Sequence, residues 1–271
     1  MIRNEKNGIV YYTFNSFANA ERIRHLFSTR IGGVSEGNFA EMNLSVNKSD
    51  SLENVKENYR RISELGFPIE KMVFSDQVHK TEIRKIFQSD CGKGYTSGSD
   101  IVGVDGLMTN VPNIVLVTFY ADCVPLYFYD SAKNAIALSH AGWRGTVKEF
   151  GKITVNEMIK EYKSDPSDIM VGIGPSICEK CFEVGEEVAI EFIEKFSYSA
   201  QFVTKSQTVS GKYYIDLQGL NKQILIDAGI LEHNIELPDI CTKCNTDIFY
   251  SHRAMGAKRG NMAAFLSISG V

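Results

Sequence analysis

The sequence lacks the long apolar run that a membrane-spanning helix requires, because no stretch of it approaches about 18 consecutive apolar residues. The amino-terminal segment, Met1 to Gly8, also lacks the apolar core of a secretory signal peptide. We therefore expect a cytoplasmic protein without a membrane partner. In that compartment its six cysteines are expected to be reduced thiols.

A strong excess of basic charge is missing as well. The 271 residues carry a formal net charge of −4 at pH 7, and the lysines and arginines are scattered along the chain. This excludes the electrostatic footprint typical of nucleic-acid-binding proteins. No internal repeat and no low-complexity linker divides the chain, so we predict a single domain over residues 1–271.

Apolar runs that alternate with helical patterns indicate the fold class. Residues 114–129 predict two buried strands with a break at residues 121–123, and residues 135–140 predict a third. Further strands are predicted at 9–16, 25–30, 72–79, 81–87, 169–174 and 262–268, and helices at 51–65, 146–162, 185–196 and 216–229. This order is typical of an α/β fold, or of α+β layers on a mixed sheet.

Three metal-binding side chains, His79, Cys123 and His140, lie where an apolar strand ends and a polar or glycine-rich turn begins. Such sheet edges are where α/β proteins place their sites. Two imidazoles and one thiolate suit Zn²⁺ and leave its fourth position open for water. Each residue alone also has a structural interpretation, as a strand-end histidine or a small buried cysteine.

Two arginines beside glycines are candidates for binding an anion. Arg144 stands in Gly142-Trp143-Arg144-Gly145, and Arg30 precedes a loop that contains Gly32 and Gly33. A guanidinium next to exposed backbone amides suits phosphate or a carboxylate. Alternatively, Arg144 simply begins the following helix.

The remaining cysteines include two Cys-x-x-Cys pairs, Cys178/Cys181 and Cys241/Cys244. The pairs are separated by 59 residues, far more than in a compact zinc ribbon. We expect unligated thiols here, with a second metal site as the alternative if the two loops meet.

A series of motifs in register resembles the laccase-domain family, the multicopper-oxidase-like proteins of the YfiH and YlmD type. The motifs are Asp76-Gln77-Val78-His79, Asp105-Gly106-Leu107-Met108-Thr109, Ala121-Asp122-Cys123-Val124-Pro125-Leu126, His140-Ala141-Gly142-Trp143-Arg144-Gly145, Gly174-Pro175-Ser176-Ile177 with Cys181-Phe182-Glu183-Val184, and Tyr250-Ser251-His252-Arg253. The resemblance runs from about Thr29 to the carboxyl terminus. Ala254 and Asn261 depart from the family pattern, and Lys258 or Arg259 offers the displaced charge.

The resemblance implies a three-layer α/β/α domain with a mixed sheet. It implies a metal, zinc or copper, held by His79, Cys123 and His140. It also implies purine nucleoside phosphorylase and adenosine deaminase activities. The expected partners are therefore phosphate and the nucleosides adenosine, inosine, guanosine and methylthioadenosine.

Roles for individual residues follow from these two reactions. Asp122 is the candidate general acid/base, or the group that orients the ligand Cys123, and acts with Cys123 and His140 in catalysis. Arg30 and Arg144 are expected to hold phosphate. Gln77 and Asn43 are expected to hydrogen-bond base or ribose, and His252 and Arg253 to contact substrate or phosphate. Trp143 or Tyr120 is expected to stack on the purine, with a place in the core as the alternative for both.

Three alternatives remain at this point. The first is a metal-free amide hydrolase, for example in peptidoglycan editing, with Cys123 as nucleophile and His140 as its base. The second is a copper phenol oxidase, which the five histidines of the chain make the weaker choice. The third is a non-catalytic, zinc-dependent module that binds nucleosides. A monomer and a homodimer fit the sequence equally.

Overall fold

The structure is a computed structural model that describes residues 1–46, 49–95 and 97–270. Its strands are β1 (Ile2–Lys6), β2 (Ile9–Thr13), β3 (Ile23–Ser28), β4 (Met72–Phe74), β5 (Ile83–Lys85), β6 (Gly106–Thr109), β7 (Val115–Tyr120), β8 (Val124–Asp130), β9 (Ala135–Ala141), β10 (Ile169–Ile173), β11 (Glu183–Gly185), β12 (Val203–Lys205), β13 (Lys212–Ile215), β14 (Ile235–Glu236) and β15 (Met262–Ile268). Its α-helices are α1 (Leu52–Ser63), α2 (Trp143–Val147), α3 (Phe150–Tyr162), α4 (Glu186–Lys195), α5 (Leu217–Asp227) and α6 (His252–Met255). Among the described residues, no helix is long and apolar enough to cross a membrane.

The strands form two six-stranded sheets and a small third sheet. The first sheet has the order β1-β2-β3-β15-β7-β4, and the second has the order β14-β10-β8-β9-β6-β5. Both sheets are mixed, because antiparallel pairs fill their centres while β4, β5 and β14 pair in parallel at the edges. The third sheet, β11-β13-β12, is antiparallel.

The two large sheets pack face to face. Along β8, Tyr127 and Tyr129 join an apolar cluster with residues of the first sheet, such as Leu116 and Leu266. The alternate residues of β8, including Phe128, face a second cluster formed with α3, α4 and α5. On the opposite side, α1 covers the outer face of the first sheet. The layers therefore run helix, sheet, sheet, helix.

The predicted mixed α/β class is confirmed, and so is the break between β7 and β8 at residues 121–123. The layering differs from the three-layer expectation, since the strands are divided between two facing sheets. A strand that is apolar on both faces must be covered on both faces, but its pattern does not say whether helices or strands cover it. β8 and β9 have helices on one side and a sheet on the other.

Two predicted elements were wrong in their extent. The single helix expected at 146–162 is two helices, α2 and α3, because Glu149 between them adopts a left-handed φ of 56°. The strand expected at 72–79 ends at Phe74, and the next one is only β5. The intervening residues 75–82 form a loop, which carries His79 to the end of the second sheet.

Candidate metal centre and its cavity

Strand register places Cys123 and His140 together. In the antiparallel pair β8–β9, Val124 lies opposite Ala141 and Pro125 lies opposite His140. Cys123, the residue directly before β8, therefore lies beside the end of β9, where Gly142 begins the turn into α2. One ligand atom from each of His79, Cys123 and His140 lies within 4.8 Å of the others. These three side chains, the metal centre, can bind a metal ion.

Asp105 organises the metal centre. It directly precedes β6, which pairs with β9, and the amide of His140 donates to its carbonyl at 2.9 Å. Its buried carboxylate accepts hydrogen bonds from the backbone amides of Val78, His79 and Lys80 at 3.1, 3.0 and 2.8 Å. One carboxylate thus holds the loop that supplies His79, whose φ of 59° is unusual for a non-glycine residue.

The same carboxylate orients the second imidazole. Asp105 Oδ1 lies 2.9 Å from His140 Nδ1, and both side chains are buried. Because Nδ1 is engaged, Nε2 of His140 is left for a metal ion, in the carboxylate–histidine arrangement that is common at zinc sites. Asp105 was not among the residues predicted to belong to the site. The available signal was a carboxylate directly before the glycine that begins a buried strand.

Gly142 leaves room for the three ligands. A Cβ atom at this position would lie 3.1 Å from both Cys123 Sγ and His79 Nδ1, and 3.7 Å from His140 Cε1. The backbone of Gly142 is in an ordinary extended conformation, with φ −64°. Glycine is therefore favoured here by the close approach of the ligand side chains and not by an unusual backbone angle.

The three donors change one another's protonation. Burial raises the pKa of Cys123, but His140 and His79 more than offset it and lower that pKa to about 6. Burial lowers the pKa of His140, while the Cys123 sulfur and Asp105 raise it to about 9. The protein therefore favours a thiolate at Cys123 near neutral pH, which is the form that binds a metal.

A cavity of about 500 Å³ opens beside the metal centre. Its volume lies within the range of small-molecule binding sites. The wall combines the ligands His79 and Cys123 with three arginines and an apolar side. Its lining residues are His79, Ala121, Asp122, Cys123, Gly142, Trp143, Arg144, Ile177, Phe182, Glu183, Val184, Gly185, Glu187, Val188, Leu217, His252, Arg253 and Arg259.

Two of the arginines have unused hydrogen-bonding capacity. Arg144 is exposed and stacks over the Trp143 ring at 4.2 Å, and its guanidinium makes no ion pair within the described part of the chain. Arg259 donates from Nη1 to Gly260 and Asn261, while its buried Nε has no partner among the described residues. Burial lowers the pKa of Arg259, against the effect of Asp122 and Cys123.

Asp122, His252 and Arg253 also line the cavity, but two of them are occupied by structural contacts. The Asp122 carboxylate accepts hydrogen bonds from Thr242 Oγ1 at 2.6 Å, Ser251 Oγ at 3.0 Å and the Arg253 amide at 2.7 Å. Arg253 Nη1 donates to the Glu183 carbonyl at 2.6 Å. Of the two roles predicted for Asp122, these contacts favour orientation of Cys123 over proton transfer.

Arg30 does not reach the cavity. Its guanidinium donates to the carbonyls of Ala40, at 2.8 and 2.5 Å, and of Thr246, at 2.8 Å. In the loop that follows, the Gly32 amide donates a hydrogen bond to Glu41 Oε2 at 2.8 Å. The hydrogen bonds of Arg30 join two segments of the chain, and its contact with phosphate stays a prediction.

Asn43, Gln77 and Tyr120 make hydrogen bonds within the protein and are not among the residues that line the cavity, and their contacts with the nucleoside stay predictions. The fully buried Asn43 accepts from the Asn261 amide at 3.0 Å, and its Nδ2 donates to Asp50. The Gln77 amide bonds both backbone groups of Phe119, at 2.9 and 2.6 Å. Tyr120 is buried between the sheets, where its hydroxyl donates to the Ser139 carbonyl.

The fold and the site define an α/β protein in which three side chains that could hold a metal ion lie beside a cavity. Residues 24–269 match the family described as multi-copper polyphenol oxidoreductase laccase, and the chain belongs to this family.

Similar proteins carry names from nucleoside metabolism. The purine nucleoside phosphorylase YlmD of Bacillus subtilis (strain 168) is 36% identical over 244 residues, covering 89% of this chain and 87% of that protein. The adenosine deaminase RL5 of an unknown prokaryotic organism is 34% identical over 198 residues, covering 73% and 75%. The crystal structure of YfiH from Bacillus licheniformis superposes with a TM-score of 0.91 at 29% identity, covering 98% and 99%.

Proposed function

We propose that this chain is a zinc-dependent purine nucleoside phosphorylase that also deaminates adenosine. The observation that carries the proposal is that the metal centre and two arginines with free hydrogen-bonding capacity, Arg144 and Arg259, share one cavity of about 500 Å³. The names of the relatives supply the substrate class. The expected substrates are phosphate with adenosine, inosine, guanosine or methylthioadenosine.

The residues of the metal centre fit zinc. One thiolate and two imidazoles are typical zinc donors, and Gly142 leaves space where a Cβ would touch them. Neither proposed reaction changes an oxidation state, so a redox-inert ion is sufficient. Bound zinc supplies Lewis-acid chemistry, which in zinc enzymes lowers the pKa of water toward about 7.

In phosphorolysis, a phosphate oxygen bonds to ribose C1′ while the C1′–N9 bond breaks. The electron pair leaves with the purine, which takes up a proton. Arg144 and Arg259 are placed to hold the phosphate anion, because guanidinium groups bind phosphate oxygens in pairs. Trp143 and Phe182 offer aromatic surface to the purine. The carboxylates of Glu183 and Glu187 and the imidazole of His252 also line the cavity and are candidates for proton transfer.

In deamination, a water oxygen bonds to C6 of adenosine and the C6–N6 bond breaks. One water proton leaves with the amino group as ammonia, and the other ends on N1 of inosine. This reaction needs no anion site. Its requirements from this chain are the three donors, Asp105 to orient His140, and Asp122 to fix the turn before Cys123. The two reactions therefore share the metal centre and differ in their need for the arginines.

The test is product analysis after incubation of the zinc-loaded protein with inosine or adenosine, with and without phosphate. We expect hypoxanthine and ribose 1-phosphate from inosine only when phosphate is present. We expect inosine from adenosine whether or not phosphate is present. Ribose in place of ribose 1-phosphate would contradict phosphorolysis, and unchanged nucleosides in every sample would contradict both activities.

A metal-free amide hydrolase is the second candidate, favoured by the lowered pKa of Cys123 beside His140. In that case Cys123 attacks a carbonyl carbon and His140 carries the proton to the leaving amine. Such an enzyme stays active with a chelator and loses activity when iodoacetamide alkylates Cys123. The zinc-dependent phosphorylase loses activity with the chelator alone.

A further inference from the structure

The second group of cysteines forms a cluster on the structure. Cys178 and Cys181 flank a short turn before β11, and Cys241 and Cys244 flank a turn after β14. Although 59 residues separate the pairs in sequence, a parallel bridge between Ser176 and Cys241 joins their loops. The four side chains, the cysteine cluster, thus meet the condition that the sequence alone left open.

The sulfur atoms are close enough to share one ion. All four lie within 4.8 Å of one another, and Cys181 Sγ lies 3.4 Å from Cys244 Sγ. Four sulfurs arranged tetrahedrally at about 2.3 Å from zinc would be about 3.8 Å apart. Small shifts of the side chains are therefore enough to complete tetrahedral coordination.

We propose that Cys178, Cys181, Cys241 and Cys244 bind a second zinc ion as a closed, structural four-thiolate site. Four donors fill the coordination of structural zinc and leave no position for substrate. The Cys178 amide donates to Cys241 Sγ at 3.3 Å, a contact that stabilises a thiolate acceptor.

The protonation of the thiols agrees with this geometry. Burial raises the pKa of Cys178 to about 11, and the Cys241 sulfur contributes to the rise. Burial also raises the pKa of Cys241, but the amides of Cys178 and Cys244 outweigh it and lower that pKa. Bound zinc would stabilise the thiolate form of its ligands.

The position of the cysteine cluster gives the second ion a structural task. The Arg253 guanidinium donates to the carbonyls of Cys181 and Glu183, and Glu183 lines the cavity. On the other loop Thr242, next to Cys241, donates to Asp122 at 2.6 Å. An ion that joins the two loops therefore fixes two parts of the wall around the metal centre.

Metal analysis of the purified full-length protein tests this site. We expect two zinc ions per chain in the wild type and one in Cys181→Ser or Cys244→Ser. Cys91→Ser is the matched control, because Cys91 belongs to neither group, and it is expected to retain two. His140→Ala is expected to retain one zinc, so loss of the metal centre and loss of the cysteine cluster are distinguishable.

Two measurements on the wild type cover the case in which the serine variants do not fold. Cobalt substitution is expected to give the intense thiolate charge-transfer absorption of a four-sulfur site, and a thiol-specific mercurial is expected to release two zinc ions per chain. The proposal is overturned if the serine variants keep two zinc ions. It is also overturned if the freshly purified protein contains iron at this site or a Cys181–Cys244 disulfide.

Discussion

The metal centre faces a cavity through two of its three donors, His79 and Cys123, whereas at the cysteine cluster four sulfurs lie close to one another. The metal centre lies at strand ends in the second sheet, where a wholly buried carboxylate fixes its geometry. The cysteine cluster lies between two loops, and Cys244 is exposed. Structural zinc sites have four protein ligands, whereas catalytic zinc sites have three and keep one position open. We therefore expect the metal centre to be the reactive site and the cysteine cluster to be structural.

The largest effect is expected from removing a donor of the metal centre. Cys123→Ala or His140→Ala should lower kcat/KM for both reactions about a thousand-fold or more, which is about 4 kcal/mol in transition-state stabilisation. Circular dichroism is expected to show an unchanged fold, and metal analysis one remaining zinc. Substantial turnover by a metal-free variant would contradict the account.

Asp105→Asn tests whether the metal centre depends on its carboxylate. The asparagine side chain would lack one of the two oxygens that accept hydrogen bonds from His140 and from the backbone of residues 78–80. We therefore expect 10- to 100-fold weaker zinc binding, the order typical when a group that orients a metal ligand is removed. Competition with a chromophoric chelator measures it. Asp90→Asn, at another buried aspartate, is the control; an equal loss of zinc there would make the Asp105 effect non-specific.

Because only phosphorolysis uses phosphate, a substitution in the cavity is expected to weaken phosphorolysis without weakening deamination. Arg144→Gln removes a charge-assisted contact worth about 1.5–3 kcal/mol, so the KM for phosphate should rise roughly 10- to 100-fold. Deamination of adenosine should change little, because it uses no phosphate. Arg3→Gln, on the exposed strand β1, serves as the control. If both activities fall together, Arg144 does not act on phosphate.

Gly142→Ala should have a smaller effect, because the new Cβ would lie 3.1 Å from two donors that can shift slightly. We expect zinc affinity to fall about ten-fold, an energetic cost of about 1.4 kcal/mol. Gly98→Ala is the matched control, since no heavy atom lies within 4 Å of a Cβ built there. Unchanged affinity in Gly142→Ala would show that the three donors are not crowded.

Acid is expected to weaken zinc binding at both sites, and this effect must be distinguished from acid unfolding of the protein. Burial lowers the pKa of His25 from 6.5 to about 4, against the opposing charge of Glu236. The unfolded chain therefore takes up a proton below about pH 6.5 while the folded protein stays neutral there, so the free energy of unfolding falls between about pH 6.5 and pH 4.

His25→Gln removes that titration and keeps an acceptor for the Phe14 amide, which donates to His25 Nε2 at 2.8 Å. Urea unfolding at several pH values is expected to show a smaller pH dependence in this variant than in the wild type. An identical pH dependence would assign the acid effect to other groups.

Cys123 and His140 were predictable as neighbours because each interrupts an apolar pattern at the end of a strand, whereas His79 lies in the loop between β4 and β5. Asp105 was harder to assign, since its partners are backbone amides that come from a loop 25 residues away. The contacts of Arg30 and Arg259 could not be predicted from the sequence either. Arg30 follows a strand but bonds carbonyls, whereas Arg259, in a segment that departs from the family pattern, lines the cavity.

Anomalous diffraction from a crystal of the zinc-loaded protein, measured at the zinc absorption edge, tests the central comparison most directly. We expect two peaks. One lies among His79, Cys123 and His140 with an additional non-protein ligand facing the cavity, and the other lies among the four cysteines with no additional ligand. A structure without a peak at the metal centre, or with substrate bound at the cysteine cluster, would contradict it.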